Sequence, residues 1–282
     1  MQAQGRRVGA VSRVASGIEV MDLQKYGPWA LIIGGSEGVG ASFARKLAAH
    51  GFKLVLAARK PGPLEELAGE LRAAGAEVRI LPLDLTEPEA LERARAVTDN
   101  IEVGLLVYNA GVVGTHGDYV RQNPALHRSL VAINVTGQLD FSRHFGGQMC
   151  ERGRGGMIFV GSSASLIGSP NLTVYCAVKA FSRIFCEGLW YECQNHGVDV
   201  LHMAIGFTAT PSMERIGVDT SLAGSPDDVA QEGLDNIAKG PLLLTGGSAA
   251  FERGLANSRL DDRAAVVRAS VIQIVMGEAY RD

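Results

Sequence analysis

The chain has 282 residues, of which 46% are hydrophobic and 20% charged, and its formal net charge is −3. This length and apolar content are enough for one sizeable core, so we expect a single domain. The acidic balance and the lack of any Lys/Arg-rich run argue against nucleic acid or an anionic membrane surface as a partner. No apolar run approaches the roughly 20 residues of a membrane-spanning helix, so we expect no membrane span.

We divide the chain into an N-terminal extension, residues 1–27, and one domain, residues 28–282. The extension is rich in arginine and has no acid before Glu19. A transit peptide shares this composition, although a flexible extension is the more common case. The four cysteines show no metal-binding spacing, so free thiols, no metal site and a reducing, cytoplasmic location are expected.

Strand and helix patterns alternate from residue 29 onwards. Predicted strands cover residues 29–34, 52–59, 77–84, 103–109, 156–163, 198–206 and 241–246. Predicted helices cover residues 41–51, 61–75, 86–98, 123–152, 173–196, 225–238 and 264–276. This order predicts an α/β fold, a doubly wound parallel sheet of about seven strands with helices on both faces. The least regular segment, residues 208–224, follows the sixth strand and is expected to form a lid over the ligand end of the sheet.

The segment between the first strand and the first long helix contains the glycine pattern Gly34-x-x-x-Gly38-x-Gly40. Glycines allow a tight turn and a close backbone approach, so the free N–H groups of the helix can bind a pyrophosphate. We therefore assign this turn, with Ser36 and Val39, to dinucleotide binding. A purely structural turn is the alternative at this point.

The second strand ends in Arg59 and Lys60, where an NAD site usually offers an acid to the adenosine ribose. Arg59 can bind a 2′-phosphate with its planar fork, which favours NADP(H) over NAD(H). Glu37 in the glycine turn tempers this preference, because an acid lies near the expected phosphate. Asp84, at the end of the third strand, is a candidate for the adenine amino group, or else a cap of the next helix.

Polar residues recur where the later strands end. Asn109-Ala110-Gly111 closes the fourth strand, Asn134 lies in the long helix, and Ser162 ends the fifth strand. Tyr175 and Lys179 follow, four residues apart and hence on one face of a helix. Each residue alone has an ordinary structural explanation.

As an ordered set, these residues resemble the short-chain dehydrogenase/reductase family in its compact single-domain branch, over about residues 29–213. The stretches YGPWALIIGGSEGVG, IEVGLLVYNAG and FTAT look most like 3-oxoacyl-CoA reductases and 17β-hydroxysteroid dehydrogenases. The resemblance implies a hydride transfer between a nicotinamide and a fairly apolar ketone or secondary alcohol. It also implies a homodimer or homotetramer, formed through the long helices.

The family also implies a role for each matching residue. Tyr175 is the proton donor and acceptor, Ser162 orients the substrate oxygen, and Asn134 supports a proton relay. Lys179 holds the nicotinamide ribose and, as an ammonium, is expected to lower the pKa of Tyr175. Thr210 contacts the cofactor, as do Asn109, Ala110 and Gly111.

The chain departs from the family at three positions. Ile33 replaces a common threonine, Tyr108 replaces an asparagine, and Ile205 replaces a proline. The first two are expected to loosen cofactor packing, and the third to leave the lid less constrained. Six residues are guesses for the pocket wall, namely Val112, Val113, Ser163, Asn171, Phe207 and Met213.

Two other functions compete with the reductase. A non-redox epimerase or dehydratase would use the same bound cofactor, but the compact glycine spacing and the lack of a large substrate domain disfavour it. A non-catalytic regulatory protein is also compatible with a dinucleotide fold. The intact Ser162, Tyr175 and Lys179 disfavour that alternative.

Overall fold

The computed structural model describes residues 21–111, 117–215, 217–261 and 263–270. Within these ranges seven strands form one sheet. In chain order the strands are β1 Trp29–Ile33, β2 Lys53–Ala58, β3 Val78–Pro82, β4 Val103–Tyr108, β5 Gly155–Val160, β6 Val198–Ala204 and β7 Leu242–Leu244. The predicted strands are confirmed, with ends that differ by a few residues.

The sheet has the spatial order β3-β2-β1-β4-β5-β6-β7, and every neighbouring pair is parallel. The predicted doubly wound α/β fold is therefore confirmed. The strand order reverses between β1 and β4, and in such sheets ligands bind beyond the carboxyl ends of the strands at that crevice.

Helices cover both faces of the sheet. They are α1 Leu23–Tyr26, α2 Gly38–Ala49, α3 Pro61–Ala73, α4 Ala90–Thr98, α5 Pro124–Val131, α6 Gly137–Phe141, α7 Gly147–Arg152, α8 Thr173–Gln194, α9 Pro211–Arg215, α10 Pro226–Asn236, α11 Gly247–Ser258 and α12 Arg263–Ser270. One face buries Phe43 and Leu47 of α2, and the other buries Phe141, Phe145 and Met149. The central strands are buried on both sides, which explains their continuous apolar sequences.

The predicted long helix between residues 123 and 152 is present and contains two π-helical turns. These turns, Ala132–Thr136 and Ser142–Gly146, join α5 to α6 and α6 to α7. The backbone remains in the right-handed helical region at each junction. Single π turns within α-helices are frequent at functional sites, and the first of these carries Asn134.

The core extends further towards the N-terminus than the expected start at residue 28. Met21 and Tyr26 are buried in the core that includes α2 and β4. The Tyr26 hydroxyl donates a 2.5 Å hydrogen bond to the Asp199 carboxylate, and Lys25 forms an ion pair with the same group. Met21 and Tyr26 therefore anchor residues 21–27 to the domain, because both side chains pack into its core.

One predicted helix begins later than expected, and one helix was not predicted. Helix α4 begins at Ala90 and not at Thr86, because the backbone N–H and hydroxyl of Thr86 both donate to Asp84 and form a turn. Helix α11 was missed, since its apolar positions are spaced by small residues. The predicted helix over residues 264–276 is present as α12 up to Ser270, and residues 271–276 lie outside the described residues.

Within the described part of the chain, none of the helices is both long enough and apolar enough to cross a lipid bilayer.

Candidate active site

The glycine turn after β1 is held by a contact with the end of β4. Gly34 has φ +83°, and the side-chain amide of Asn109 donates to its carbonyl oxygen over 2.8 Å. A Cβ atom on Gly40 would lie 2.0 Å from that same oxygen, so only glycine fits there. Asn109 therefore fixes the turn, and sequence reasoning had assigned it only to cofactor contact.

The N-terminus of α2 has the form of a phosphate site. Glu37 precedes the helix but makes no side-chain cap, which leaves the first N–H groups of α2 available. A Cβ atom on Gly38 would lie 3.1 Å from the Thr210 side chain, so the turn and the lid segment touch at this point. Val39 is buried and Ser36 is half-buried. The cradle fits the pyrophosphate of a dinucleotide.

The end of β2 lies directly beside this turn. The N–H groups of Gly34 and Gly35 both donate to the Ala57 carbonyl oxygen, over 2.7 and 3.1 Å. Arg59 follows and is exposed. The pKa of Asp84 is lowered, mainly by its hydrogen bonds from Thr86 and also by the charge of Arg59. Asp84 therefore lies near Arg59. The Asp84 carboxylate closes a local turn with Thr86 and does not cap α4, which begins at Ala90.

Lys179 and Asn134 meet at Gly111. A Cβ atom on Gly111 would lie 2.9 Å from Lys179 Nζ and 3.2 Å from Asn134 Oδ1. Both side chains are buried, and the Asn134 amide group donates to the Leu130 carbonyl oxygen over 3.0 Å. Among the described residues Asn134 Oδ1 has no hydrogen-bond partner, so this buried oxygen is directed at the space beside Lys179.

Burial controls the charge of Lys179. Its Nζ lies 3.5 Å from the Val160 carbonyl oxygen and 5.8 Å from the centre of the Tyr175 ring. Burial lowers the pKa of the ammonium to about 8, and no carboxylate within the described ranges offsets the effect. A buried amine with a pKa near neutrality is typical of functional sites.

Tyr175 and Ser162 form the second half of the site. Burial raises the pKa of the Tyr175 hydroxyl, and a hydrogen bond with Ser162 opposes the rise. Lys179 is not among the causes that shift this pKa, and its ammonium lies near the Val160 carbonyl oxygen, so the lowering expected from Lys179 and an oxidised nicotinamide stays a prediction. Tyr175 is therefore protonated at neutral pH in this structure. The Ser162 hydroxyl also accepts from the Ala164 N–H over 3.1 Å.

Tyr108 supports the site in a way that the sequence did not reveal. Its hydroxyl is fully buried and donates to the carbonyl oxygen of Ile133 over 2.6 Å. A Cβ atom on Gly137 would lie 2.3 Å from this hydroxyl, so the tyrosine and the glycine fit as a pair. Tyr108 thus holds the π turn that carries Asn134. The sequence does not show this contact, because residues 108 and 133 are 25 positions apart.

The structure describes four of the six residues predicted for the pocket wall. Asn171, with φ +63°, and Tyr175 line a small cavity together with Tyr119, Gln122 and His127. The guesses Ser163 and Phe207 are exposed, and Met213 is half-buried in α9. Val112 and Val113 lie outside the described residues.

The reversal of strand order, the phosphate cradle and the Tyr175–Lys179 face define a class, the oxidoreductases that act on CH–OH and C=O groups with a nicotinamide cofactor. Comparison with known proteins agrees. Residues 28–220 match the family model described as short chain dehydrogenase. The chain therefore belongs to the short-chain dehydrogenase/reductase family.

Two curated relatives illustrate the similarity. The 7β-hydroxysteroid dehydrogenase of Clostridium sardiniense is 32% identical over 228 residues, which is 79% of this chain and 87% of the relative. The very-long-chain 3-oxoacyl-CoA reductase of Anas platyrhynchos is 31% identical over 75% of this chain and 69% of its own length. The predicted similarity to the reductase branch is confirmed.

Two solved structures share the fold over most of the chain. A 7β-hydroxysteroid dehydrogenase structure superposes with a TM-score of 0.82 at 28% identity, covering 88% of this chain and 98% of the other. A short-chain dehydrogenase from Sphingobium yanoikuyae in complex with NADPH gives a TM-score of 0.74 at 26% identity, covering 90% and 100%.

Proposed function

We propose that this oxidoreductase interconverts fairly apolar ketones and secondary alcohols with NADP(H), and that Tyr175 donates and accepts the proton. The observation that carries the proposal is the convergence of Lys179 and Asn134 on Gly111, beside Tyr175 and its partner Ser162. A nicotinamide cofactor supplies or accepts the hydride when it is bound.

In the reductive direction, Ser162 donates a hydrogen bond to the carbonyl oxygen and orients it towards Tyr175. The raised pKa of Tyr175 keeps its proton in place until negative charge develops on that oxygen, and the proton then moves to it. Lys179 contributes positive charge and binds the cofactor's ribose hydroxyls. The free oxygen of Asn134 accepts a hydrogen bond on the path by which the lysine exchanges protons with solvent.

The proposed substrate is bulky and apolar. Phe207 and Leu222, which flank the lid helix α9, are 48% and 94% exposed and offer apolar surface to a ligand at this end of the sheet. The named relatives act on hydroxysteroids and on very-long-chain 3-oxoacyl-CoA. A steroid-sized ketone or a long acyl chain therefore fits the proposal better than a small polar sugar does.

A direct assay tests the reaction. Purified protein with NADPH is expected to oxidise the cofactor in the presence of at least one member of a panel of 7-oxosteroids, 3-oxoacyl-CoA esters and bulky aryl ketones. The measurement is the loss of absorbance of the reduced nicotinamide, with the product identified by mass spectrometry. Binding of NADPH without turnover across the whole panel would contradict the proposal and favour a regulatory role.

The proposed preference for NADP(H) is based on Arg59, which is exposed at the end of β2 next to the glycine turn. Replacement of Arg59 by aspartate is expected to weaken NADPH binding by about a hundredfold, since an attraction for the 2′-phosphate becomes a repulsion. NADH binding should change by less than about threefold, a bound set by the small worth of exposed ion pairs. Fluorescence titration of both cofactors measures the two constants. Equal affinity of the wild type for both cofactors contradicts this assignment, and Arg79→Asp on the outer strand β3 is the control.

Asp84 and Thr210 complete the proposed cofactor site, at the adenine end and at the lid contact respectively. We also propose a homodimer or homotetramer, because Val131, Leu139 and Ile184 are exposed apolar residues on the long helices.

We propose a cytoplasmic location as well. The free thiols Cys150, Cys176, Cys186 and Cys193 fit this proposal.

A further inference from the structure

A two-pronged ion pair joins the glycine turn to the lid. Arg215, at the end of α9, donates from Nη1 to Glu37 Oε2 over 2.8 Å and from Nη2 to Glu37 Oε1. Glu37 occupies the position just before α2, inside the turn that is to hold the cofactor phosphates. The hydrogen bond from Arg215 is the main cause that lowers the pKa of Glu37, so the carboxylate is ionised at neutral pH.

Glu37 also faces the basic end of β2. The turn is hydrogen-bonded to Ala57, two residues before Arg59, and the charge of Lys60 further lowers the pKa of Glu37. A phosphate held by Arg59 and Lys60 therefore comes close to the Glu37 carboxylate. The 2′-phosphate of NADP(H) is doubly charged, whereas the 2′-hydroxyl of NAD(H) is neutral.

An unpaired carboxylate at this position would repel the 2′-phosphate and would accept a hydrogen bond from the 2′-hydroxyl. Two like charges several ångströms apart near a protein surface repel appreciably, and solvent salt screens the effect only in part. The chain thus contains an acid that favours NAD(H), next to two basic residues that favour NADP(H). The guanidinium of Arg215 lies against that acid.

We propose that Arg215 determines cofactor specificity by neutralising Glu37, so that the turn accepts the 2′-phosphate of NADP(H) despite its acidic residue. This inference rests on the proposed use of Arg59 for the same phosphate. The lid residue acts on the cofactor through Glu37, and it is therefore a positioning residue and not a ligand of the phosphate.

A double-mutant cycle tests this role. Arg215→Gln is expected to weaken NADPH binding about tenfold, equivalent to about 1.4 kcal/mol, and to change NADH binding by less than about twofold. In a Glu37→Gln background the same Arg215→Gln change is expected to alter NADPH binding by less than about twofold, because the charge to be neutralised is gone. The loss in the single variant should also shrink as salt is raised.

A matched control exists on α2, the helix that Glu37 precedes. Arg45 and Glu70 form a similar two-pronged pair, with contacts of 2.7 and 2.8 Å, about two helical turns from the glycine turn. Arg45→Gln is expected to leave the affinities for both cofactors unchanged. A change there as large as in Arg215→Gln would overturn the inference, since it would mean that loss of any such pair disturbs the site.

Two further results would overturn the inference. A full tenfold loss of NADPH affinity on Arg215→Gln in the Glu37→Gln background would mean that Arg215 binds the phosphate itself. An equal loss for NADH and NADPH in the single variant would mean that the pair only holds the lid. The proposed preference for NADP(H) over NAD(H) is tested separately, by comparing the NADPH and NADH affinities of the wild type.

Discussion

Replacing Tyr175 by phenylalanine is expected to lower the turnover number for ketone reduction by about three orders of magnitude, within the range for a lost general acid. The hydroxyl is the only group removed, and it is the group whose pKa burial raises and Ser162 moderates. A protonated phenol beside Ser162 supplies a proton at the moment when the carbonyl oxygen becomes an alkoxide. Phenylalanine fills the same space and has no proton to give.

The measurement is steady-state oxidation of NADPH with a substrate found in the panel assay, together with a fluorescence titration of NADPH. Cofactor affinity should fall by no more than about fivefold, since the net worth of one hydrogen bond is about 1 kcal/mol. Tyr191, on the same helix and 67% exposed, provides the control, and Tyr191→Phe should keep full activity. Undiminished turnover in Tyr175→Phe would refute the proposed mechanism.

Replacing Lys179 by methionine is expected to inactivate the enzyme and yet to stabilise the protein without cofactor. Lys179 is 3% exposed, and burial lowers the pKa of its ammonium from the ordinary 10.5 to about 8. At neutral pH the folded protein holds a buried charge with no acidic partner in the described ranges. At about 1.4 kcal/mol per pH unit, this costs up to about 3.5 kcal/mol of stability.

The sign of the pH dependence follows from the lowered pKa. Below about pH 8 both the folded and the unfolded protein bind the proton, so the full cost is present. Between about pH 8 and 10.5 the unfolded protein binds more protons than the folded one, and stability rises with pH. Above that window the cost is gone. The advantage of the methionine variant should therefore be largest near pH 7 and should vanish towards pH 10.5.

Urea unfolding of the wild type and of Lys179→Met at several pH values measures this difference. Lys239, which is exposed and bonded to Asn236, serves as the control, and Lys239→Met should give a small difference that does not change over the window. A methionine variant less stable than the wild type at pH 7 would contradict the interpretation. Retained turnover would separately contradict the catalytic role of Lys179.

The sequence by itself determined the fold, and it proposed the residues of the site. Continuous apolar strands that alternate with amphipathic helices favour a parallel sheet buried on both faces, and the structure contains that sheet with seven strands. The glycine pattern also predicted a tight turn after β1. The structure explains these glycines, because Gly34 has φ +83° and there is no space for a side chain at Gly40. Tyr175 and Lys179 share a face through helical spacing alone.

Only the tertiary structure decided which distant residues contact the site residues. The sequence does not show that Tyr108 holds the turn of Asn134, or that Asn109 fixes Gly34, since each contact joins distant segments. The sequence also does not show that burial raises the pKa of Tyr175, because burial is a property of the packed protein. Glu37 and Arg215 are 178 residues apart, and their pairing depends on where the chain returns after β6. Local patterns determine the elements, whereas charge and burial depend on contacts that only the assembled fold creates.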